Sequence, residues 1–216
     1  MRLSVQAFKR EGLLHDQSNT SQRNYQMHWL SEVSALWRAL PWNSRVKAAV
    51  EKLLDTPNIE IHLDQMFLKP GDGVGTGTRY HQDNGYFGIS DPLKGTGMWI
   101  AVDRATEENG TMSCIPKSHL GPTLDHRRDD YVEQLITCED EIDEQAAVPC
   151  VLEPGGVVFF CYGVVHGTGV NRSGSERSGV AYHFVSSDHV QSQAKDGTEQ
   201  HRQLTGVSQG GWQVRL

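Results

Sequence analysis

The chain has no Cys-x-x-Cys pair, no cluster of lysine and arginine, and no long apolar run. Each absence excludes something. Its four cysteines, Cys114, Cys138, Cys150 and Cys161, follow no regular framework, so they read as free thiols in a reducing compartment. A net charge of −7 with scattered basic residues argues against a nucleic-acid partner. No apolar stretch approaches the ~20 residues of a membrane-spanning helix, so no membrane association is expected. The opening residues MRLSVQAFKREG lack the apolar core of a secretory signal. Together these point to a cytoplasmic location. What is present is a 216-residue chain, long enough for one domain with a sizeable core. Its 22 glycines, set between short apolar runs, suggest a β-rich fold with tight turns.

Residues 1–24 are mostly polar and weakly patterned. Trp29, Leu30, Val33, Leu36, Trp37 and Leu40 then recur at helical spacing, and Pro41 stops the run. Asn43 or Ser44 can cap a second helix whose apolar face holds Val46, Ala49, Val50, Leu53 and Leu54. After residue 58 the period changes to two. Ile59, Ile61 and Leu63 alternate with Glu60, His62 and Asp64, which predicts a strand. Further strands are predicted at 97–103, 111–116, 155–165 and 179–185, separated by turn-forming stretches. Strands at this spacing suggest a sandwich or barrel covered on one face by the helices. The acidic block 125–144, with nine Asp/Glu against two Arg, is either a solvated face or a mobile lid. The stretch from Gln191 onward is polar.

The stretch Tyr80-His81-Gln82-Asp83 holds two good metal ligands one residue apart. In a strand, residues i and i+2 share a face, so His81 and Asp83 could aim at one point while Gln82 points away. Alone, the pair reads by default as a hydrogen-bonded surface pair. His166 ends the most apolar predicted strand and is a candidate third ligand; the alternative is a core histidine bonded to backbone. Two histidines and a carboxylate suit a non-haem Fe(II) site, and zinc is chemically possible too. Thr168 lies two residues beyond His166, and Arg177 eleven. If Asn171–Ser175 is a hairpin turn, Arg177 stands on the strand beside the one carrying His166. There its guanidinium could fork a carboxylate, as 2-oxoglutarate binding requires, with the Thr168 hydroxyl assisting. By itself Arg177 could equally be a solvated hairpin residue. The glycine-rich run before Arg79 is no phosphate loop, since it lacks the Gly-Lys-Ser/Thr ending.

From about Phe8 to Ser186 the sequence resembles the phytanoyl-CoA dioxygenase family of Fe(II)- and 2-oxoglutarate-dependent oxygenases. The stretches that carry the resemblance are AFKREGLL, DQMFLKPGDG, YHQDNGYF, MWIAVDRATEENGTMSCIPKSHL and HGTGVNRSGSERSGVAYHF. Gly71 stands where the family has a second proline, Tyr80 where it has tryptophan, and Lys117 where it has glycine. The resemblance implies a mainly β fold with N-terminal helices, a double-stranded β-helix of the jelly-roll or cupin-like kind. It implies one domain over 1–216, with a helical flank at 25–57, a jelly-roll core at 59–186, an acidic insertion or lid at 125–144 and a polar tail at 191–216. His81, Asp83 and His166 would hold Fe(II). Arg177, assisted by Thr168, would pair the distal carboxylate of 2-oxoglutarate; Trp99 would line its pocket, and Gln65 and Lys69 would reach it. The implied reaction uses O2, hydroxylates an unactivated C–H bond of a small-molecule substrate, and releases succinate and CO2. Related halogenases replace the carboxylate ligand with a small residue, so Asp83 favours hydroxylation. The region between the opening segment and the first helix is shorter than the family's usual one. Two rival readings stand beside this: a zinc hydrolase using the same triad, and a non-catalytic jelly-roll binding protein.

Overall fold

The computed structural model describes residues 1–16, 24–128, 136–189 and 202–205. Its helices are α1 (Arg2–Arg10), α2 (Leu30–Val33), α3 (Ala35–Ala39), α4 (Ser44–Leu54) and α5 (Asn84–Phe87). The strands are β1 (His15–Asp16), β2 (Tyr25–His28), β3 (Ile59–Lys69), β4 (Thr78–His81), β5 (Gly95–Ala101), β6 (Met112–Cys114) and β7 (His126–Arg128), followed by β8 (Ile136–Cys138), β9 (Val148–Pro149), β10 (Val157–Cys161), β11 (His166–Thr168), β12 (Arg177–Ser186) and β13 (Arg202–Thr205). A seven-stranded antiparallel sheet runs β1-β2-β3-β12-β5-β10, with β13 also on β3; a four-stranded sheet runs β4-β11-β6-β9, and β7 pairs with β8.

The expected double-stranded β-helix, or jelly roll, is not what these ladders form. Closure needs hydrogen bonding to continue from one edge strand to another. Here the large sheet ends at β1 and β10 and the smaller at β4 and β9, so among the described residues no sheet closes into a barrel. With its helices, the protein is a mixed α/β fold of open antiparallel sheets. Strand spacing along the chain announces short strands but not which edges pair.

The period of two in β3 and β12 gives the large sheet two unlike faces. One face carries Met66, Leu68, Met98, Ile100, Val180, Tyr182 and Phe184, packed against Val5 and Phe8 of α1, Leu30, Trp37, and Val50 and Leu54 of α4. Each such fully buried side chain contributes about 1.5–3 kcal/mol. The Tyr182 hydroxyl donates to the Trp37 carbonyl at 2.7 Å, tying α3 to the sheet. Asp64 accepts from the Ser31 backbone N–H at 3.1 Å and the Ser31 hydroxyl at 2.6 Å, fixing the start of α2. The N-terminal segment is therefore better patterned than expected: α1 buries Val5 and Phe8, three apart. The helix predicted from Trp29 is two short ones, broken where Ser34 is extended at φ −143°. Asn43 caps α4 by accepting from the Arg45 N–H at 2.9 Å.

The opposite face of the large sheet looks toward the smaller one across Trp99, Ala101, Met112, Phe160 and Ala181. Glycines within the strands make room for aromatics there. A Cβ on Gly179 would stand 2.4 Å from Trp99, and one on Gly97 would stand 2.5 Å from Phe160. These glycines are seats for rings rather than turns. Of the acidic block 125–144, residues 129–135 lie outside the described residues, and the rest includes β7 and β8. Of the tail 191–216, only 202–205 is described, as β13.

Candidate metal centre

The two histidines meet because β4 and β11 pair with His81 directly opposite His166. Their ring centroids are 4.4 Å apart. Each ring is oriented by its own strand: His81 Nδ1 lies 2.9 Å from the Arg79 carbonyl and His166 Nδ1 3.0 Å from the Val164 carbonyl. A carbonyl only accepts, so both rings carry a proton on Nδ1, and in the neutral tautomer Nε2 is left with the lone pair. Asp83 does not continue strand β4, as a period of two would have it; it is the N-cap of α5, at φ −58°. The turn brings its Oδ1 to 3.8 Å from His81 Nε2 and 3.7 Å from His166 Nε2. These separations are too long for hydrogen bonds. The three residues are buried, and their ligand atoms lie within 4.8 Å of one another. Two imidazoles held by backbone carbonyls at Nδ1 and a carboxylate whose Oδ1 faces both rings form a donor set that fits a divalent ion.

Gln82 points away from this centre and is fully buried. Its amide donates to the Gly163 carbonyl at 2.7 Å and accepts from the Leu124 N–H at 2.7 Å, while its backbone N–H donates to His126 Nε2 at 3.0 Å. The residue between the two candidate ligands thus pins their loop from behind.

Burial lowers the His81 pKa to about 4, His166 adding to the effect and Asp83 opposing it. For Asp83 burial pushes the pKa up, but His183, His166 and His81 outweigh it and the net shift is downward. For His81 the sign follows from proton uptake. The unfolded histidine, near 6.5, takes a proton that the folded one refuses until about 4. The contribution to stability is thus full above pH 6.5 and fades as pH falls towards 4, by about 3 kcal/mol in total. Urea melts of metal-free protein between pH 7 and 4.5 should show this loss. A His81→Leu variant should show a shallower slope; equal slopes would refute the assignment.

Arg177 begins β12 and is 1% exposed. It does not sit beside β11. Residues 169–176 carry the chain between sheets, and Arg177 pairs with Lys69 of β3 in the large sheet. The expected hairpin is thus replaced by a crossover, and Arg177 meets His166 across a cavity rather than along a ladder. Its Nη2 donates to the Gly110 carbonyl, its Nε has no partner, and its guanidinium carbon lies 5.4 Å from the Trp99 ring centroid. Burial lowers its pKa to about 10, Asp103 opposing the shift. Lys69 is also buried; desolvation and then Arg177 lower its pKa, and its Nζ donates to Thr168 Oγ1 at 2.6 Å and the Gly169 carbonyl. Thr168 Oγ1 also accepts from the Thr78 N–H at 2.9 Å. A buried guanidinium with an unused donor, beside a buried lysine, fits an anionic ligand.

His81, Asp83, His166, Thr168, Trp99, Gln65, Lys69 and Arg177 all line one cavity of about 280 Å³. Sequence reading passed over His183, Asn24, Gln26 and His28, which line it as well. His183 had a signal: it stands at i+6 from Arg177 in a strand, hence on the same face. The β2 residues had none, because they lie in a stretch read as the start of the helical flank.

Residues 2–179 match the profile of the phytanoyl-CoA dioxygenase (PhyH) family. The chain belongs to the phytanoyl-CoA dioxygenase family. Among phytanoyl-CoA dioxygenase family relatives, the peroxisomal enzyme of Homo sapiens is 29% identical over 141 residues, covering 61% of this chain and 41% of its own length. A phytanoyl-CoA dioxygenase domain-containing protein of Danio rerio is 29% identical over 170 residues, or 76% of this chain and 57% of the relative. This chain thus spans about half the length of such relatives. Among solved structures, the non-haem monooxygenase ThoJ superposes at a TM-score of 0.73 with 23% identity, over 87% of this chain and 68% of ThoJ. That match speaks for the fold. EvdO2 of Micromonospora carbonacea var. aurantiaca, solved with 2-oxoglutarate, gives 0.65 with 25% identity, over 86% of this chain and 80% of EvdO2. The expected cytoplasmic location does not stand: matching phytanoyl-CoA dioxygenases of human, cattle, rat and mouse are peroxisomal proteins. Free thiols and a polar opening segment do not tell the cytoplasm from an organelle interior. Among the described residues, no helix is long and apolar enough to cross a membrane.

Proposed function

We propose that this protein is an Fe(II)- and 2-oxoglutarate-dependent dioxygenase that hydroxylates an unactivated C–H bond of a small molecule, within one domain over 1–216. One observation carries the reading: two imidazoles and a carboxylate converge in the same cavity as a buried arginine with an unused donor. Family membership and the 2-oxoglutarate complex of EvdO2 support it. His81, Asp83 and His166 would hold the iron. Arg177 would fork the distal carboxylate of the oxo acid. Lys69 adds positive charge beside it and holds Thr168 in place. When bound, iron and 2-oxoglutarate supply the oxidising chemistry, the oxo acid leaving as succinate and CO2. Trp99, Met112, Phe160 and Phe87 wall the cavity and exclude water from it.

The cavity also limits the substrate. With Lys69 and Arg177 given to the oxo acid, the remaining lining combines amide, imidazole, hydroxyl, aromatic and aliphatic groups, and among the described residues Asp83 is its only acid. That composition suits a small uncharged molecule rather than an ammonium compound. The test is anaerobic. Fe(II) and 2-oxoglutarate together should give a weak visible charge-transfer band with the wild-type protein. Its absence at saturating concentrations of both would sink the proposal.

A further inference from the structure

We propose that His183 is a positioning residue for Asp83, oriented by an amide relay from Gln26 through Gln65, and that it reserves Oδ1 alone for the metal. The inference rests on the iron-site reading above but concerns residues that reading does not use.

His183 is 3% exposed on β12, boxed by Phe87 at 5.1 Å and Tyr162 at 6.0 Å between ring centroids. Its Nδ1 stands 3.4 Å from Asp83 Oδ2, a long contact, and neither atom has a hydrogen-bond partner of normal length. Its Nε2 lies 3.1 Å from Gln65 Nε2. Gln65 Oε1 accepts from Gln26 Nε2 at 2.6 Å, and Gln26 Nε2 lies 2.9 Å from His28 Nε2. With the amides placed this way, the distances set the direction of each proton along the relay. An amide nitrogen only donates, so Gln65 donates to His183 Nε2. That nitrogen is then the bare one, and the neutral ring carries its proton on Nδ1, facing Asp83 Oδ2. Turning both amides over would be self-consistent along the relay. For a neutral ring it would, however, move the His183 proton to Nε2 and set a bare Nδ1 lone pair against the carboxylate. The first arrangement is the one that Asp83 stabilises.

The consequence concerns coordination. Asp83 Oδ1 faces both ligand imidazoles, while Oδ2 faces His183. An N–H on Oδ2 keeps the carboxylate from rotating both oxygens inward, where the second would take a position that the oxo acid needs. The relay also joins β2, at the edge of the cavity, to the metal carboxylate through side chains alone.

The tautomer can be read directly in metal-free wild-type protein, by long-range 15N–1H NMR of the histidine rings. His183 should be protonated on Nδ1 and bare on Nε2; the opposite pattern overturns the proposal whatever the variants do. Co(II) titrations followed in the visible then test its effect without turnover. His183→Leu should weaken Co(II) binding about 10- to 100-fold, the usual loss for an outer-sphere partner. His183→Asn, whose amide N–H can stand in for Nδ1–H, should recover most of that loss. A Leu variant that binds Co(II) as tightly as wild type, or an Asn variant as weak as Leu, would refute the role. A wild-type protein that binds no Co(II) would instead refute the metal-site reading itself.

Discussion

Asp83→Ala is expected to bring succinate formation down to the level of a protein-free control and to weaken Fe(II) binding by more than about 100-fold, beyond the loss of an outer partner. The side chain is the only anion among the candidate ligands, and its Oδ1 is the atom both Nε2 lone pairs face. Without it two neutral imidazoles remain, 4.4 Å apart between ring centroids, with no charge to offset the ion's. Folding is a separate matter, because the core beneath the helices lies on the opposite face of the large sheet. Metal-free Asp83→Ala should therefore melt cooperatively. It should lose the rise in melting temperature that Fe(II) or Co(II) gives the wild type by binding the folded state. A variant that retains both the rise and succinate formation would show that the metal is held elsewhere.

Arg177→Leu should act on the oxo acid and spare the metal. A buried guanidinium paired to a carboxylate contributes about 2–5 kcal/mol, so apparent affinity for 2-oxoglutarate should fall roughly 30- to 4,000-fold. Lys69 cannot take over, since its Nζ is committed to Thr168 Oγ1 and the Gly169 carbonyl. Co(II) affinity should stay near the wild-type value, because Arg177 is not among the clustered ligand residues. Titrating 2-oxoglutarate onto the Fe(II) protein and Co(II) onto the metal-free protein separates the two effects. An unchanged 2-oxoglutarate affinity would remove Arg177 from the cosubstrate site.

These two residues also show how far reading along the chain reaches. Family membership was legible, because stretches such as YHQDNGYF and the block from His166 to Phe184 are local and ordered. The α4 cap at Asn43 and the alternation in β3 were legible for the same reason: each depends on neighbours a few residues away. Two of the reasons offered for the site do not hold. A strand period was to align His81 with Asp83, yet β4 ends at His81 and a helical turn swings Asp83 round. A hairpin was to set Arg177 beside His166, yet the chain crosses to another sheet and faces it across the cavity.

The sequence by itself determined the local facts. It set which faces of β3 and β12 are apolar and which family the motifs belong to. Only the tertiary structure decided how the sheets end, that Lys69 and Arg177 lie side by side, and that His183 turns its Nδ1 toward Asp83. The physical reason is range. Periodicity and capping are encoded within a turn or two of chain. Edge pairing and the direction of a hydrogen-bonded relay depend on residues more than a hundred positions apart, as Gln65 and His183 are.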